Sequence, residues 1–129
     1  MSNKDLRDRR RAQKEANMLR EISKLFMQLS QDNSELAGIS VSRVKLSPDK
    51  SHCTIFFYLL DGEEKFQEKF STLILYKPSL RKALSQAIPS RYTPDLVFKY
   101  DTLVEKQRRV DDIIIELMEY DKKKKEESS

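Results

Sequence analysis

Apolar residues return every three or four positions early in the chain, at Ala16, Leu19, Ile22, Phe26 and Leu29. That period lays one stripe along a cylinder and predicts a long amphipathic first helix. The polar run Gln31-Asp32-Asn33-Ser34 is turn chemistry, and Gly38 closes the loop. From Ile39 the period changes to two. Ile39 and Val41 are followed by Val44 and Leu46, a one-residue phase slip that predicts a bulge near Ser42-Arg43. Ser47-Pro48-Asp49-Lys50 reads as a turn, and residues 52–60 read as a second strand. Cys53, Ile55, Phe57 and Leu59 share one face of it, with Thr54, Phe56 and Tyr58 on the other. The short connection makes the pair an antiparallel hairpin.

Asp61 with Glu64 three residues later has the form of a capping box and opens a second helix, with Phe66, Phe70, Leu73 and Ile74 as its stripe. Pro78 has no N–H and crowds the carbonyl four residues back, which costs about 3 kcal/mol inside a continuous helix. Proline suits the first turn of a new helix. The pattern therefore predicts a break at Lys77-Pro78-Ser79. A third helix starts at Pro78 or Ser79 and stops at Pro89. It turns Leu80, Leu84 and Ile88 to the core, with Ala83 and Ala87 beside them. A third strand follows, with Leu96, Phe98 and Tyr100 on one side and Val97 and Lys99 on the other. Thr102 and Glu105 form a second capping box, opening a fourth helix striped by Val110, Ile113, Ile114, Leu117 and Met118. The order is α-β-β-α-α-β plus an appended helix, an α+β class without internal repeat.

At 129 residues and 38% hydrophobic content, one two-layer domain is what the chain can bury. The expected division is a flexible basic arm over 1–12, the folded domain over 13–101, a C-terminal helix over 102–121 and a disordered tail over 122–129. No run of about 18 apolar residues exists, so no membrane partner is expected. The start lacks the apolar stretch of a secretory signal, and Asp5, Asp8 and Glu15 interrupt its arginines. A single cysteine cannot form an internal disulfide and fits a reducing compartment. A cytoplasmic location is expected.

The net charge of +4 is modest, but its distribution is uneven. Residues 1–16 hold six cations against three acids, and residues 76–99 hold five against one. Such asymmetry points to a polyanionic partner. Arg7, Arg9, Arg10, Arg11 and Lys14 would neutralise phosphates from the arm. Lys77, Pro78, Ser79, Arg81 and Lys82 stand at the start of the third helix, where free N–H groups and the helix dipole favour an anion. Arg91 and Lys99 flank the third strand. Arg108 and Arg109 lie among acids and read as a solvated helix face. Phe56, Tyr58 and Tyr76 are candidate stacking surfaces, with packing as the competing reading.

Catalytic sets are missing from the sequence. There is one histidine and one cysteine, no Gly-x-x-x-x-Gly-Lys-Ser/Thr loop and no Gly-x-Ser-x-Gly elbow. His52 and Cys53 are neighbours on a strand and so point to opposite faces, which makes no metal site. Neither enzyme activity nor a cofactor is expected. A protein-interaction module working through the fourth helix is the alternative of a different class.

Three stretches carry a family resemblance. They are Val44-Lys-Leu-Ser-Pro-Asp-Lys-Ser-His-Cys-Thr-Ile-Phe-Phe57, Leu80-Arg-Lys-Ala-Leu84 running on through Ser90-Arg-Tyr-Thr-Pro-Asp-Leu-Val-Phe-Lys-Tyr-Asp101, and Leu103-Val-Glu-Lys. With this element order, the chain over roughly residues 5–120 resembles the bacterial ribosome-binding factor A family. The resemblance implies a type II K-homology-like fold, its three-stranded sheet packed by helices on one face, without the usual Gly-x-x-Gly loop. It implies a monomeric assembly factor that binds small-subunit ribosomal RNA and the free 30S subunit. Support of 16S RNA processing, late 30S maturation and growth in the cold is implied too. The family bends its middle helices at Ala-x-Gly; here the aligned residues are Tyr76-Lys77-Pro78. Glycine permits a bend by lacking a side chain, whereas proline enforces one by lacking a donor.

Overall fold

The fold is that of a computed structural model, which describes residues 3–127. Helix α1 spans Asn3–Gln31 and buries Met18, Ile22 and Phe26, with Leu19, Leu25 and Leu29 packed beside them. Ala16 is exposed, so the buried stripe runs through Met18 and not through Ala16 as the spacing predicted. Residues 3–12 are helical, which corrects the expectation of a flexible arm; Met1 and Ser2 of that arm lie outside the described residues. The segment has arginine, lysine, leucine and alanine with no glycine or proline, and Arg11 pairs with Asp8 one turn back at 3.3 Å.

After a short 3-10 turn at Ser34–Leu36, which the pattern did not predict, strand β1 (Ile39–Leu46) pairs antiparallel with β2 (His52–Leu59). The register slips between Val41 and Arg43, at the predicted bulge. Strand β3 (Asp95–Tyr100) lies parallel to β2, giving the order β1-β2-β3. The face of β2 carrying Cys53, Ile55, Phe57 and Leu59 is buried, and the alternate residues are half-exposed. Phe57 centres the core, its ring 5.2 Å from Phe26, 5.1 Å from Phe98 and 6.1 Å from Phe66.

Helix α2 (Glu63–Ile74) begins after Gly62, whose φ of 103° is a backbone state that L side chains rarely adopt. The expected Asp61–Glu64 capping box does not form. The Gly62 N–H bonds to the Leu59 carbonyl, and this tight turn makes Gly62 the cap and leaves Asp61 one residue too early. Leu75 and Tyr76 then separate α2 from α3 (Lys77–Ala87), so the break occurs as predicted and α3 begins one residue earlier, at Lys77. Leu80 and Leu84 are buried and Ile88 and Ala83 half-buried, while Ala87 faces solvent, contrary to the stripe drawn from sequence.

Helix α4 runs over Thr102–Glu127 and has no buried residue. Its cap is Asp101 and not the expected Thr102, because the Val104 N–H donates to Asp101 Oδ1 at 3.1 Å. Residues 122–127, expected to be a disordered tail, continue α4, since lysine and glutamate are helix formers and no breaker intervenes. Ser128 and Ser129 lie outside the described residues. Asp101 is fully buried and also accepts from Ser42 Oγ at 2.6 Å and Arg43 Nε at 2.9 Å. One carboxylate thus ties the β1 bulge to the start of α4.

Candidate nucleic-acid interface

The α2–α3 corner sets the position of the first cationic surface. Leu75 and Tyr76 keep right-handed helical backbone angles, and the Tyr76 N–H bonds to the Leu73 carbonyl, so the direction changes within two residues. Asn33 Nδ2 donates to the Tyr76 hydroxyl at 2.9 Å, pinning the corner to the loop after α1. Tyr76 is therefore a half-buried anchor and not an open stacking surface. Pro78 sits in the first turn of α3, where its missing N–H breaks no helical bond.

Lys77, Pro78, Arg81, Lys82 and Arg91 line one open groove of about 630 Å³, together with Ser85, Tyr92 and Thr93. Among the described residues, no carboxylate lines it. Arg81 is occupied: its Nε donates to the Pro94 carbonyl at 3.1 Å, and its Nη2 donates to the Thr93 carbonyl at 2.7 Å and pairs with Asp95 at 3.6 Å. It braces α3 against the segment leading into β3. Lys77 lies over the Phe98 ring at 5.3 Å, and Arg91 over Tyr92 at 5.4 Å.

A second open groove, of about 770 Å³, lies where the first turns of α1 meet the β1–β2 turn. Arg7, Arg10 and Arg11 line it with Lys4 and Lys50, five cations against the carboxylates of Asp8 and Asp49. Ser47 and Ser51 hydroxyls each donate to Asp49 Oδ1 at 2.7 Å, and the Ser51 N–H adds a third bond at 3.1 Å. The Ser51 and Ser47 hydroxyls lead in lowering the Asp49 carboxyl to about 2. This turn is thus locked in shape, with Lys50 held at a φ of 62°.

Lys14, one helical turn along α1 from Arg10 and Arg11 of the second groove, lines a small cleft with Ser90, Thr93 and Pro94, and Thr93 also borders the first groove. Lys14 bridges them. The cations of the α3 start and of the α1 start, more than sixty residues apart in sequence, thus belong to one track. Three predicted residues stand apart. Arg9 and Ser79 are exposed but line neither groove, and Lys99 sits on the face of β3 away from the core, opposite Phe56 of β2. Phe56 is covered by Arg43 at 4.0 Å, and Tyr58 lies beneath Arg108 at 5.6 Å, so neither ring is an open platform.

Lys4, Lys50 and Tyr92 were not singled out from sequence. Lys50 follows the turn signal Ser-Pro-Asp, and Lys4 belongs to the basic start, so charge alone marked both. Their meeting depends on α1 running back to the β1–β2 turn, which no local pattern reports.

A profile of the ribosome-binding factor A family matches residues 10–114. The chain is 27% identical over 121 residues to ribosome-binding factor A of Geotalea daltonii, covering 92% of this chain and 98% of that one. It is 28% identical over 112 residues to the factor of Syntrophomonas wolfei, covering 86% and 92%. Its fold is similar to the crystal structure of ribosome-binding factor A from Thermus thermophilus, with a TM-score of 0.59 and 25% identity over 68% of this chain and 92% of that one.

Proposed function

The chain belongs to the ribosome-binding factor A family, and from that premise we propose that it binds the free 30S small ribosomal subunit through 16S RNA. There it assists RNA processing and late maturation of the particle. The observation that carries this reading is the pair of cation-lined grooves at the starts of α3 and α1, with Lys14 one helical turn from the second and in a cleft that shares Thr93 with the first. A surface that collects cations from separate elements and holds them around shallow, open grooves suits a phosphate backbone. Lysines and arginines there supply affinity, and the corner between α2 and α3 supplies the shape that selects among RNA folds.

Within the track the roles divide. Lys77, Lys82, Arg91, Lys14, Arg7 and Arg10 offer charge to phosphates. Arg81 positions the segment carrying Arg91 and Tyr92, and Arg11 shares its charge with Asp8. The factor works as a monomeric RNA-binding protein in the cytoplasm.

Replacing Lys77 and Lys82 together by alanine tests this reading. Lys82 is exposed and Lys77 is half-buried over the Phe98 ring, so thermal stability falls by no more than about 1 kcal/mol. Co-sedimentation with free small subunits weakens on the order of tenfold or more. Unchanged co-sedimentation of a folded variant rejects the α3 groove as the RNA surface.

A further inference from the structure

We infer that Tyr92 is a stacking platform for an unpaired base of the RNA held in the α3 groove, an inference that rests on the RNA-binding reading above and deepens it. The groove has two sides. Helix α3 contributes Lys77, Arg81 and Lys82, and the segment leading into β3 contributes Arg91, Tyr92 and Thr93. Tyr92 is 73% exposed, a large ring open to solvent on a surface whose charged lining residues are all cations. Phe56, Tyr58 and Tyr76 are half-buried, and Tyr120, though exposed, lines neither groove.

A lone exposed aromatic side chain is ordinary. What sets Tyr92 apart is how its backbone is held. The carbonyls of three successive residues each accept a side-chain bond: Tyr92 from Ser90 Oγ at 2.8 Å, Thr93 from Arg81 Nη2 at 2.7 Å and Pro94 from Arg81 Nε at 3.1 Å. Pro94 is itself buried. The ring therefore projects from a braced segment, and little backbone freedom is lost when a partner packs on it. Arg91 lies over the ring at 5.4 Å, and one guanidinium covers one face. The ring's large exposure leaves the other face to solvent.

Chemistry selects the occupant of that face. Lys77, Lys82 and Arg91 draw a strand of phosphates into the groove. Each phosphate brings a base with it, and a base has the flat π surface that matches the free side of Tyr92. Bases inside a duplex already stack on both faces, so the base that fits is an unpaired one. Arg91 on the far side of the ring adds a cation–π contact to the stack. Every base offers a π face, so Tyr92 selects single strand over duplex and not one base over another.

Equilibrium binding of the full chain to octa-adenylate RNA, to an abasic RNA of equal length and to octaglutamate tests the inference. The parent is expected to bind octa-adenylate about tenfold tighter than the abasic strand. Tyr92→Leu abolishes that preference, Tyr92→Phe keeps it, and Lys82→Ala weakens both RNA probes alike. Equal binding of the two strands by the parent, or a preference that survives Tyr92→Leu, overturns the stacking role and leaves the phosphate reading standing. Octaglutamate bound more tightly than either strand, or neither strand bound, overturns both for this groove. On free small subunits, Tyr92→Leu lowers affinity about tenfold at an unchanged salt slope, because a stacked ring neutralises no phosphate. Unchanged affinity, or a flattened slope, would overturn the proposal.

Discussion

At the scale of single residues, the side chains that hold the molecule together are not those that face its partner. Asp101, which follows β3, joins the bulge, β2 and α4 through five bonds. Its carboxylate accepts from Ser42 Oγ, the Val104 N–H and the Arg43 guanidinium, the last also an ion pair at 2.9 Å. Its N–H donates to the Phe57 carbonyl at 2.7 Å, and its carbonyl accepts from the Glu105 N–H at 3.2 Å. Burial alone would push its carboxyl up, but the Ser42, Val104 and Arg43 bonds outweigh it and hold the group below the usual carboxylate range. A depressed folded value means that the ionised form stabilises the fold. That contribution is complete above the unfolded value of about 3.9 and is lost as pH falls through the lowered one. Asp101→Asn is expected to cost about 2 kcal/mol near neutrality. The gap in urea midpoints between parent and variant then closes in acid. A gap that is constant down to about pH 2 would show that the charge is not what stabilises. Cys53 illustrates the opposite case. Burial, with a smaller contribution from Glu15, pushes its thiol up to about 12. Ellman's reagent should modify it only at the rate of unfolding, and immediate reaction in native buffer would contradict the buried placement.

At the scale of elements, the two-residue period of the strands, the bulge and the helix break were all legible, because each follows from local sterics. The slip from Val41 to Val44 can only be absorbed by an extra residue, and Ser42 is that residue. What stayed illegible depends on partners distant in sequence. The cap of α2 moved to Gly62 because a preceding turn fixed its φ, and Asp101 displaced Thr102 as the α4 cap because the sheet holds it there. The corner between α2 and α3 has a similar lesson. Proline marks the place, but the Asn33–Tyr76 bond and the buried Leu73 and Leu80 hold the angle. Pro78→Ala should therefore keep the corner and lower stability by no more than about 1 kcal/mol. Tyr76→Phe should cost about 1 kcal/mol by leaving Asn33 without its acceptor. If circular dichroism instead shows added helix in Pro78→Ala with loss of subunit binding, the proline itself makes the bend.

At the scale of the whole molecule, a small net charge conceals a partial separation of signs. Cations dominate the two grooves formed by α1, the β1–β2 turn, α3 and the segment before β3, while α4 carries both signs, with five carboxylates over residues 111–121 between Arg108-Arg109 and Lys122–Lys125. The two basic clusters were legible in the sequence as runs of charge. Their union through Lys14 was not, since it needs α1 laid across the sheet with its start beside residues 48–50. The exclusion of Lys99 also follows from packing, because strand alternation turns it to the face opposite Phe98. The separation has a consequence for binding. If the track meets about five phosphates of single-stranded or junction RNA, log affinity should fall with log salt at a slope near −3.5, so that a fourfold rise in salt weakens binding on the order of 100-fold.

The decisive measurement is that slope, taken with free small subunits for the parent chain and for a variant with Lys14, Lys77 and Lys82 all replaced by alanine. Loss of three contacts should flatten it by about 2 while α4 and the fold remain intact. Equal slopes for the two proteins, or an affinity indifferent to salt, would contradict a phosphate-binding track.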